Sequence, residues 1–386
     1  MISYVALCAV GAERILGNEL KLLGCKLAGN APGRVAFTGD EDTLYRANYC
    51  LRTGDRVYIQ MASYDAGDFD ALFDGCYAAP WQDFLKLTSR VRVDKVRTYH
   101  SSLESEHAVQ GMIQKAIYQK LGDKYNVSSM PESGAEAAVR VYIENDVAHI
   151  LLDTSGEPLH KRGYRTASVL APMRETTAAV LLQELFWKRR LPLHDPFCGS
   201  GTIPIEAFLY AHDVAPGLGR EFAYQNLKIY DAGKALQIKK ELAGKIRTDV
   251  LCRISGSDSD PEAVKKAQKN AEHAAVMAGR ALQLIGSDAK LERPVFSVCD
   301  AAELKAPYGE GVLLCNPPYG ERIGDEQEAS ALYGRMSVLF DNFPGWSIGI
   351  ITSKKGFQKD IGHYAAKLKS IKAGNLDTTL YIYPNG

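Results

Sequence analysis

Leu191-Pro-Leu-His-Asp-Pro-Phe-Cys-Gly-Ser-Gly-Thr-Ile-Pro-Ile-Glu-Ala207 is the stretch on which the fold turns. Its pattern predicts a short strand ending at Asp195, a tight turn through Gly199 and Gly201, and a helix from Thr202 or Ile203 onward. Glycines at a strand-to-helix turn carry no Cβ, so a ligand can approach the backbone closely there. A dinucleotide fingerprint would require a third glycine and a P-loop a Gly-Lys-Ser/Thr ending; this stretch has neither.

What remains, Asp195-x-Phe197-x-Gly199-x-Gly201, resembles motif I of S-adenosylmethionine methyltransferases. A nucleoside-binding sheet of that kind wants an acid at the tip of the next strand, to hold ribose hydroxyls. Leu251-Cys-Arg-Ile-Ser-Gly-Ser-Asp-Ser-Asp260 provides it: Asp258 is assigned to the ribose, and Asp260 before Pro261 to a helix cap. The rival reading makes both acids caps. The following strand, Val295-Phe-Ser-Val-Cys-Asp300, ends in Asp300, assigned to the adenine amino group.

Next comes Val312-Leu-Leu-Cys-Asn-Pro-Pro-Tyr-Gly320. Asn316 offers a side-chain carbonyl, while Pro317 and Pro318 offer backbone carbonyls and have no N–H to compete. An exocyclic amine on adenine, cytosine or guanine could give one hydrogen to Asn316 and the other to the Pro317 carbonyl, with Tyr319 stacked on the base. The plain alternative is a turn opened by Asn-Pro, its aromatic packed on the core. The segment from His212 to Lys245 reads as a lid or insertion, and 370–372 with 378–383 as a closing antiparallel hairpin.

Upstream, the first 60 residues alternate strand and helix patterns and suggest a small α+β unit. Ser89 to Arg97 then alternates basic with apolar residues at period two, which buries valines and displays Arg90 and Arg92. A helix from Ser105 to Leu121 and a hairpin over 138–152 follow. A solvated outer face explains the arginines as readily as a surface for backbone phosphates does. Between 153 and 170 the patterning lapses at Leu159-His-Lys-Arg-Gly-Tyr-Arg165, read as a junction whose Lys161, Arg162 and Arg165, beside Tyr164, contact phosphate and base, or as a solvated linker.

A chain of 386 residues implies two or three domains. With 46% hydrophobic and 24% charged residues and zero formal net charge, it reads as a soluble protein in which any basic surface is local. Its eight cysteines form no Cys-x-x-Cys pair, and no histidines cluster at metal spacing, so reduced thiols and no metal site are expected. With neither a signal-peptide pattern nor a bilayer-length apolar run, the expected location is the cytoplasm, without a membrane partner.

The order of Asp195-Pro-Phe-Cys-Gly-Ser-Gly-Thr, Gly256-Ser-Asp-Ser-Asp-Pro, Asp300 and Asn316-Pro-Pro-Tyr-Gly-Glu-Arg, with Lys161-Arg-Gly-Tyr-Arg165 ahead of them, resembles the bacterial THUMP-domain RNA methyltransferases. Members of that family are often labelled N6-adenine-specific DNA methylases, and their relatives include guanine-N2 methyltransferases of large-subunit ribosomal RNA. The resemblance implies an α/β protein with a Rossmann-like class I S-adenosylmethionine methyltransferase sheet and an N-terminal α+β ferredoxin-like and THUMP RNA-binding region. It implies a ferredoxin-like unit over 1–60, a THUMP-like domain over 61–155, a linker over 156–170 and the methyltransferase domain over 171–386. It further implies S-adenosylmethionine as methyl donor, S-adenosylhomocysteine as product, and RNA, ribosomal RNA first, as partner. Two other readings stand beside it: an N6-adenine-specific DNA methyltransferase, since the grip recognises an amine and not its ring, and an RNA-binding protein with an inert methyltransferase-like domain.

Overall fold

The structure is a computed structural model that describes residues 1–168, 172–251, 253–318, 326–374 and 376–385. Among these residues the chain builds two seven-stranded sheets. The first contains β1 (Ile2–Cys8), β2 (Lys26–Ala31), β3 (Arg34–Gly39), β4 (Gly54–Asp65), β5 (Arg90–Tyr99), β6 (Glu136–Glu144) and β7 (Val147–Asp153), in the order β2-β3-β1-β4-β7-β6-β5. Its helices are α1 (Glu13–Leu22), α2 (Glu41–Cys50), α3 (Phe69–Ala78), α4 (Trp81–Phe84) and α5 (Glu106–Tyr125). The second holds β8 (Leu193–Asp195), β9 (Ile254–Asp258), β10 (Val295–Val298), β11 (Gly311–Cys315), β12 (Trp346–Thr352), β13 (Lys367–Ala373) and β14 (Leu376–Tyr383), ordered β10-β9-β8-β11-β12-β14-β13. Around it lie α6 (Glu175–Glu184), α7 (Thr202–Ala211), α8 (Ala232–Ala243), α9 (Pro261–Gln283), α10 (Glu326–Met336), α11 (Val338–Asn342) and α12 (Phe357–Ile361).

Local chemistry sets many of these boundaries. Asp40, Asp68, Ser105, Asp231 and Asp260 each accept a backbone N–H at the start of a helix, satisfying donors that have no partner within the helix. β2 is absent from the sequence reading because Lys-Leu-Ala-Gly-Asn-Ala has no period-two apolar pattern; it is an outer strand held by pairing with β3. The long strand β4 pairs with β1 over its first half and with β7 beyond it, so one continuous sheet runs through residues 1–153.

The segment from His212 to Lys245 is no lid. Tyr224 is fully buried, with its ring 5.2 Å from that of Tyr45, and its N–H donates to the Thr154 carbonyl at 3.0 Å. Gly217 N–H donates to Tyr49 O at 2.9 Å and Lys228 N–H to Phe84 O at 2.9 Å, which fastens this segment to the N-terminal sheet. Aromatic residues scattered along a sequence give no periodic signal, so only the fold reveals this seam.

In the second sheet, β10, β9, β8, β11 and β12 are parallel, and β14 and β13 close it antiparallel, as the expected hairpin. The chain walks outward from β8 to β9 and β10, then returns to β11 on the other side of β8. The strand order therefore reverses between β8 and β11, where open parallel sheets hold their ligands.

Candidate active site at the sheet switch point

A cleft opens at this reversal, lined by Asp195, Phe197, Gly199, Ser200, Thr202 and Asn316 among others. One wall is the turn after β8. Gly201 N–H donates to Cys198 O at 2.7 Å, and Cys198 N–H donates to Ser257 O at 2.9 Å, tying the turn to β9. Gly199 (φ +52°) and Gly201 (φ +85°) adopt left-handed backbone. A Cβ on Gly201 would lie 3.0 Å from the Ala267 Cβ, and one on Gly256 would lie 2.8 Å from the Cys198 Cβ. Gly201 is needed for conformation and for space, Gly199 for conformation and Gly256 for space.

Asp195 is buried at the end of β8 and accepts the Phe197 N–H at 3.1 Å. Burial first, and then the neighbouring Asp258 charge, push its carboxyl well above the usual range. Asp258 ends β9 and accepts the Gly199 N–H at 2.9 Å and the Asp260 N–H at 3.1 Å. Asp260 accepts the Glu262 N–H at 2.9 Å and caps α9. Asp300 follows the carboxyl end of β10, the outer strand beside β9, where Cys299 N–H donates to Asp258 O at 3.1 Å; Asp300 accepts the Ala302 N–H at 2.9 Å, with its second oxygen 4.0 Å from Arg335.

Across the cleft, β11 delivers Asn316 and the buried Pro317. The Asn316 Oδ1 is buried and has no hydrogen-bond partner among the described residues. An unsatisfied buried acceptor costs free energy, so it marks a position where a ligand donor completes the structure. Pro318 presents its carbonyl to the Tyr333 hydroxyl at 3.3 Å. Tyr319 lies outside the described residues. The thiols beside the cleft, Cys198 and Cys315, are pushed up chiefly by burial, which keeps them protonated and poorly nucleophilic.

The junction segment departs most from expectation. Arg162 is 1% exposed, so it is not a phosphate contact: its guanidinium meets Glu206 of α7 at 3.3 Å and donates to the carbonyls of Leu159 and Arg52. Tyr164, also buried, donates to Glu206 at 3.2 Å and cannot stack on a base. Arg165 turns inward too, donating to Glu175, the Met173 carbonyl, Ser200 Oγ and Thr202 Oγ1 at 2.9–3.0 Å. Burial of Arg162 follows from Glu206, 44 residues further along the chain, which local composition does not show. Lys161 stays exposed beside Glu157. Arg90 and Arg92 are exposed on the edge strand β5, each 3.4 Å from Glu136 of β6.

Two residues join the site without having been singled out in the sequence. Asn270 of α9 donates to the carbonyls of Ser200 and Ala167, and accepts the N–H groups of Thr166 and Ala167, fixing the turn to the junction. Its signal was there: a polar residue inside the buried stripe of Ala263, Ala267, Ala271 and Ala274. Tyr333 of α10 had none, because tyrosine in an apolar stripe reads as core. Among the described residues no group of three or more His, Cys, Asp or Glu could hold a metal ion, and no helix is long and apolar enough to cross a membrane.

Comparison with known proteins gives three matches to family models: residues 3–58 to the RlmL ferredoxin-like domain, 66–153 to the THUMP domain, and 162–382 to the RMKL-like methyltransferase domain. The protein named "Putative RNA methyltransferase YpsC" of Bacillus subtilis (strain 168) is 34% identical over 385 residues, covering 99% of this chain and 95% of its own. "Ribosomal RNA large subunit methyltransferase K/L" of Syntrophotalea carbinolica is 31% identical over 98% of this chain but only 53% of its own, so the chain spans about half the length of that relative. The crystal structure of SMU.472, described as "a putative methyltransferase complexed with SAH", aligns over 100% of this chain and 98% of its own, with a TM-score of 0.89 at 32% identity.

Proposed function

The chain belongs to the RMKL-like methyltransferase family, and on that footing we propose that it is an S-adenosylmethionine-dependent RNA methyltransferase acting on an exocyclic amino group, guanine N2 of large-subunit ribosomal RNA. The observation that carries this reading is the buried Asn316 Oδ1, without a partner among the described residues and facing the glycine turn across one cleft. The turn fits the donor, because the left-handed Gly201 and the close approach of Gly256 to Cys198 leave the backbone bare on that wall.

In this reading Phe197, Gly199 and Gly201 cradle the donor beside Asp195, Asp258 takes the ribose, and Asp300 the adenine amino group. When bound, S-adenosylmethionine supplies an electrophilic methyl: the sulfur–carbon bond breaks as the nitrogen–carbon bond forms, the electron pair stays on sulfur, and S-adenosylhomocysteine leaves. Asn316 and the Pro317 carbonyl accept the two amine hydrogens and aim the nitrogen lone pair at the methyl carbon. Alignment of this kind lowers a barrier by as much as about 7–11 kcal/mol. The amine, positive once methylated, releases a proton to water. Tyr319 stacks on the extruded base for roughly 1–3 kcal/mol, against an unstacking cost of a few kcal/mol.

The domain limits we assign are 1–60, 61–155, 156–170 and 171–386. Arg90, Arg92 and Lys161 are the proposed backbone-phosphate contacts. The test is radiolabelled methyl transfer to ribosomal RNA, transfer RNA and duplex DNA, followed by nucleoside analysis. Labelled N2-methylguanosine from ribosomal RNA is the expected product; labelled N6-methyladenosine, or label on DNA alone, overturns the substrate. Asn316→Ala abolishes transfer while S-adenosylhomocysteine affinity stays within about twofold.

A further inference from the structure

Two proline carbonyls follow Asn316, and they are not equivalent. The Tyr333 hydroxyl lies 3.3 Å from Pro318 O and 3.0 Å from the Thr352 hydroxyl, and Thr352 Oγ1 accepts the Lys354 N–H at 3.1 Å. A carbonyl only accepts, so in the bond to Pro318 O the Tyr333 hydroxyl donates its single hydrogen, which leaves it the acceptor towards Thr352. The chain of bonds runs from Lys354 N–H to Thr352, from Thr352 O–H to Tyr333, and from Tyr333 O–H to Pro318 O. Tyr333 is 0% exposed and Thr352 1% exposed. The Tyr333 ring is wedged edge-on against Phe357, with centroids 5.0 Å apart. The ring therefore sits in a rigid setting that holds its hydroxyl beside the Pro318 carbonyl.

Geometry carries the effect to the reacting end. The Pro318 ring nitrogen lies in the same planar peptide unit as the Pro317 carbonyl. The pyrrolidine ring locks φ at Pro318. Holding Pro318 O thus leaves the Pro317 carbonyl little freedom to swing. We propose that Tyr333, backed by Thr352, is a positioning residue for methyl transfer: it engages the Pro318 carbonyl and orients the Pro317 carbonyl to accept, with Asn316, the target amine. The inference rests on the amine-grip reading given above.

The experiment compares Tyr333→Phe, Thr352→Val and Thr352→Ser in the full chain, using the RNA that takes label in the transfer assay. Readouts are kcat, KM for RNA, S-adenosylhomocysteine affinity by calorimetry and thermal unfolding. Tyr333→Phe keeps the ring and its contact with Phe357 but removes the donor. Its expected result is a ten- to hundredfold lower kcat, with KM and S-adenosylhomocysteine affinity each within twofold of the parent. Thr352→Val gives a smaller loss of the same kind, Thr352→Ser restores kcat to within threefold, and the double variant Tyr333→Phe/Thr352→Val is no slower than Tyr333→Phe alone, because the chain acts as a unit. A kcat within twofold of the parent in Tyr333→Phe, or a kcat loss matched by equal losses in cofactor affinity and unfolding temperature, overturns the positioning role. Asn316→Ala separates the two levels: if it keeps full activity, the amine grip itself is wrong; if it is inactive while Tyr333→Phe is normal, only the role of Tyr333 falls.

Discussion

The Asp258 carboxylate accepts the Gly199 N–H at 2.9 Å, so the acid at the tip of β9 and the glycine turn after β8 form one hydrogen-bonded unit. Replacing Asp258 with Asn keeps an acceptor for Gly199 but removes the charge. Hydrogen bonds to charged groups contribute about 1.5–3 kcal/mol, so S-adenosylhomocysteine affinity is expected to fall roughly ten- to hundredfold with little change in folding. Isothermal titration of Asp258→Asn against the parent checks this. An unchanged affinity would remove Asp258 from the cofactor site.

Arg162 and Glu206 form a buried ion pair at 3.3 Å, both side chains essentially inaccessible. Deleting one partner strands the other charge in a dry interior, which costs about 3–5 kcal/mol. Arg162→Ala is expected to lower the unfolding free energy by that amount. In conditions where it remains folded, the salt dependence of its RNA binding should match the parent. A shallower salt slope would return Arg162 to the phosphate contacts.

His194 lies between the Ser255 and Ser257 hydroxyls at 2.8 and 3.1 Å, and burial lowers its pKa from 6.5 to about 4. Between those values the unfolded chain binds the proton and the folded chain does not, so stability rises with pH through the window and is lost as pH falls from 6.5 towards 4. The linked loss is about 3 kcal/mol. Denaturant unfolding from pH 7 to 4 should reveal it. His194→Gln, which cannot take up the proton, should flatten that part of the curve.

Arg90 and Arg92 each lie 3.4 Å from Glu136, which partly occupies the exposed basic face of β5. If this face meets phosphate, Arg90→Ala/Arg92→Ala weakens RNA binding evenly across sequences and reduces the salt slope by about 1–2. Glu136→Gln has the opposite sign: it releases both guanidinium groups and tightens binding at low salt. Filter binding over a range of salt concentrations measures both. No response from either variant would identify these residues as a solvated face.

Much of the second sheet was legible because its information is local. A turn that needs glycine, an acid closing each of three strands and an Asn-Pro-Pro ending are all written within a few consecutive residues. The capped start of α9 at Asp260-Pro261 was legible for the same reason. The basic junction was misread because charge alone does not reveal a partner: Glu206 stands 44 residues beyond Arg162, and the structure alone brings them together.

By itself the sequence determined the chemical inventory and its order: the Asp195 to Gly201 turn, acids at Asp258 and Asp300, and the Asn316-Pro-Pro ending proposed as the amine grip. Tertiary structure decided adjacency. It seats β8 between β9 and β11, so Asn316 faces the glycine turn, while Asp300 stands two strands beyond β8. It also turned Arg162 and Arg165 inward and supplied Tyr333 to the Pro318 carbonyl. The physical reason is that periodicity fixes which face of an element is buried, whereas strand order and the pairing of buried polar groups depend on contacts between residues far apart in the chain.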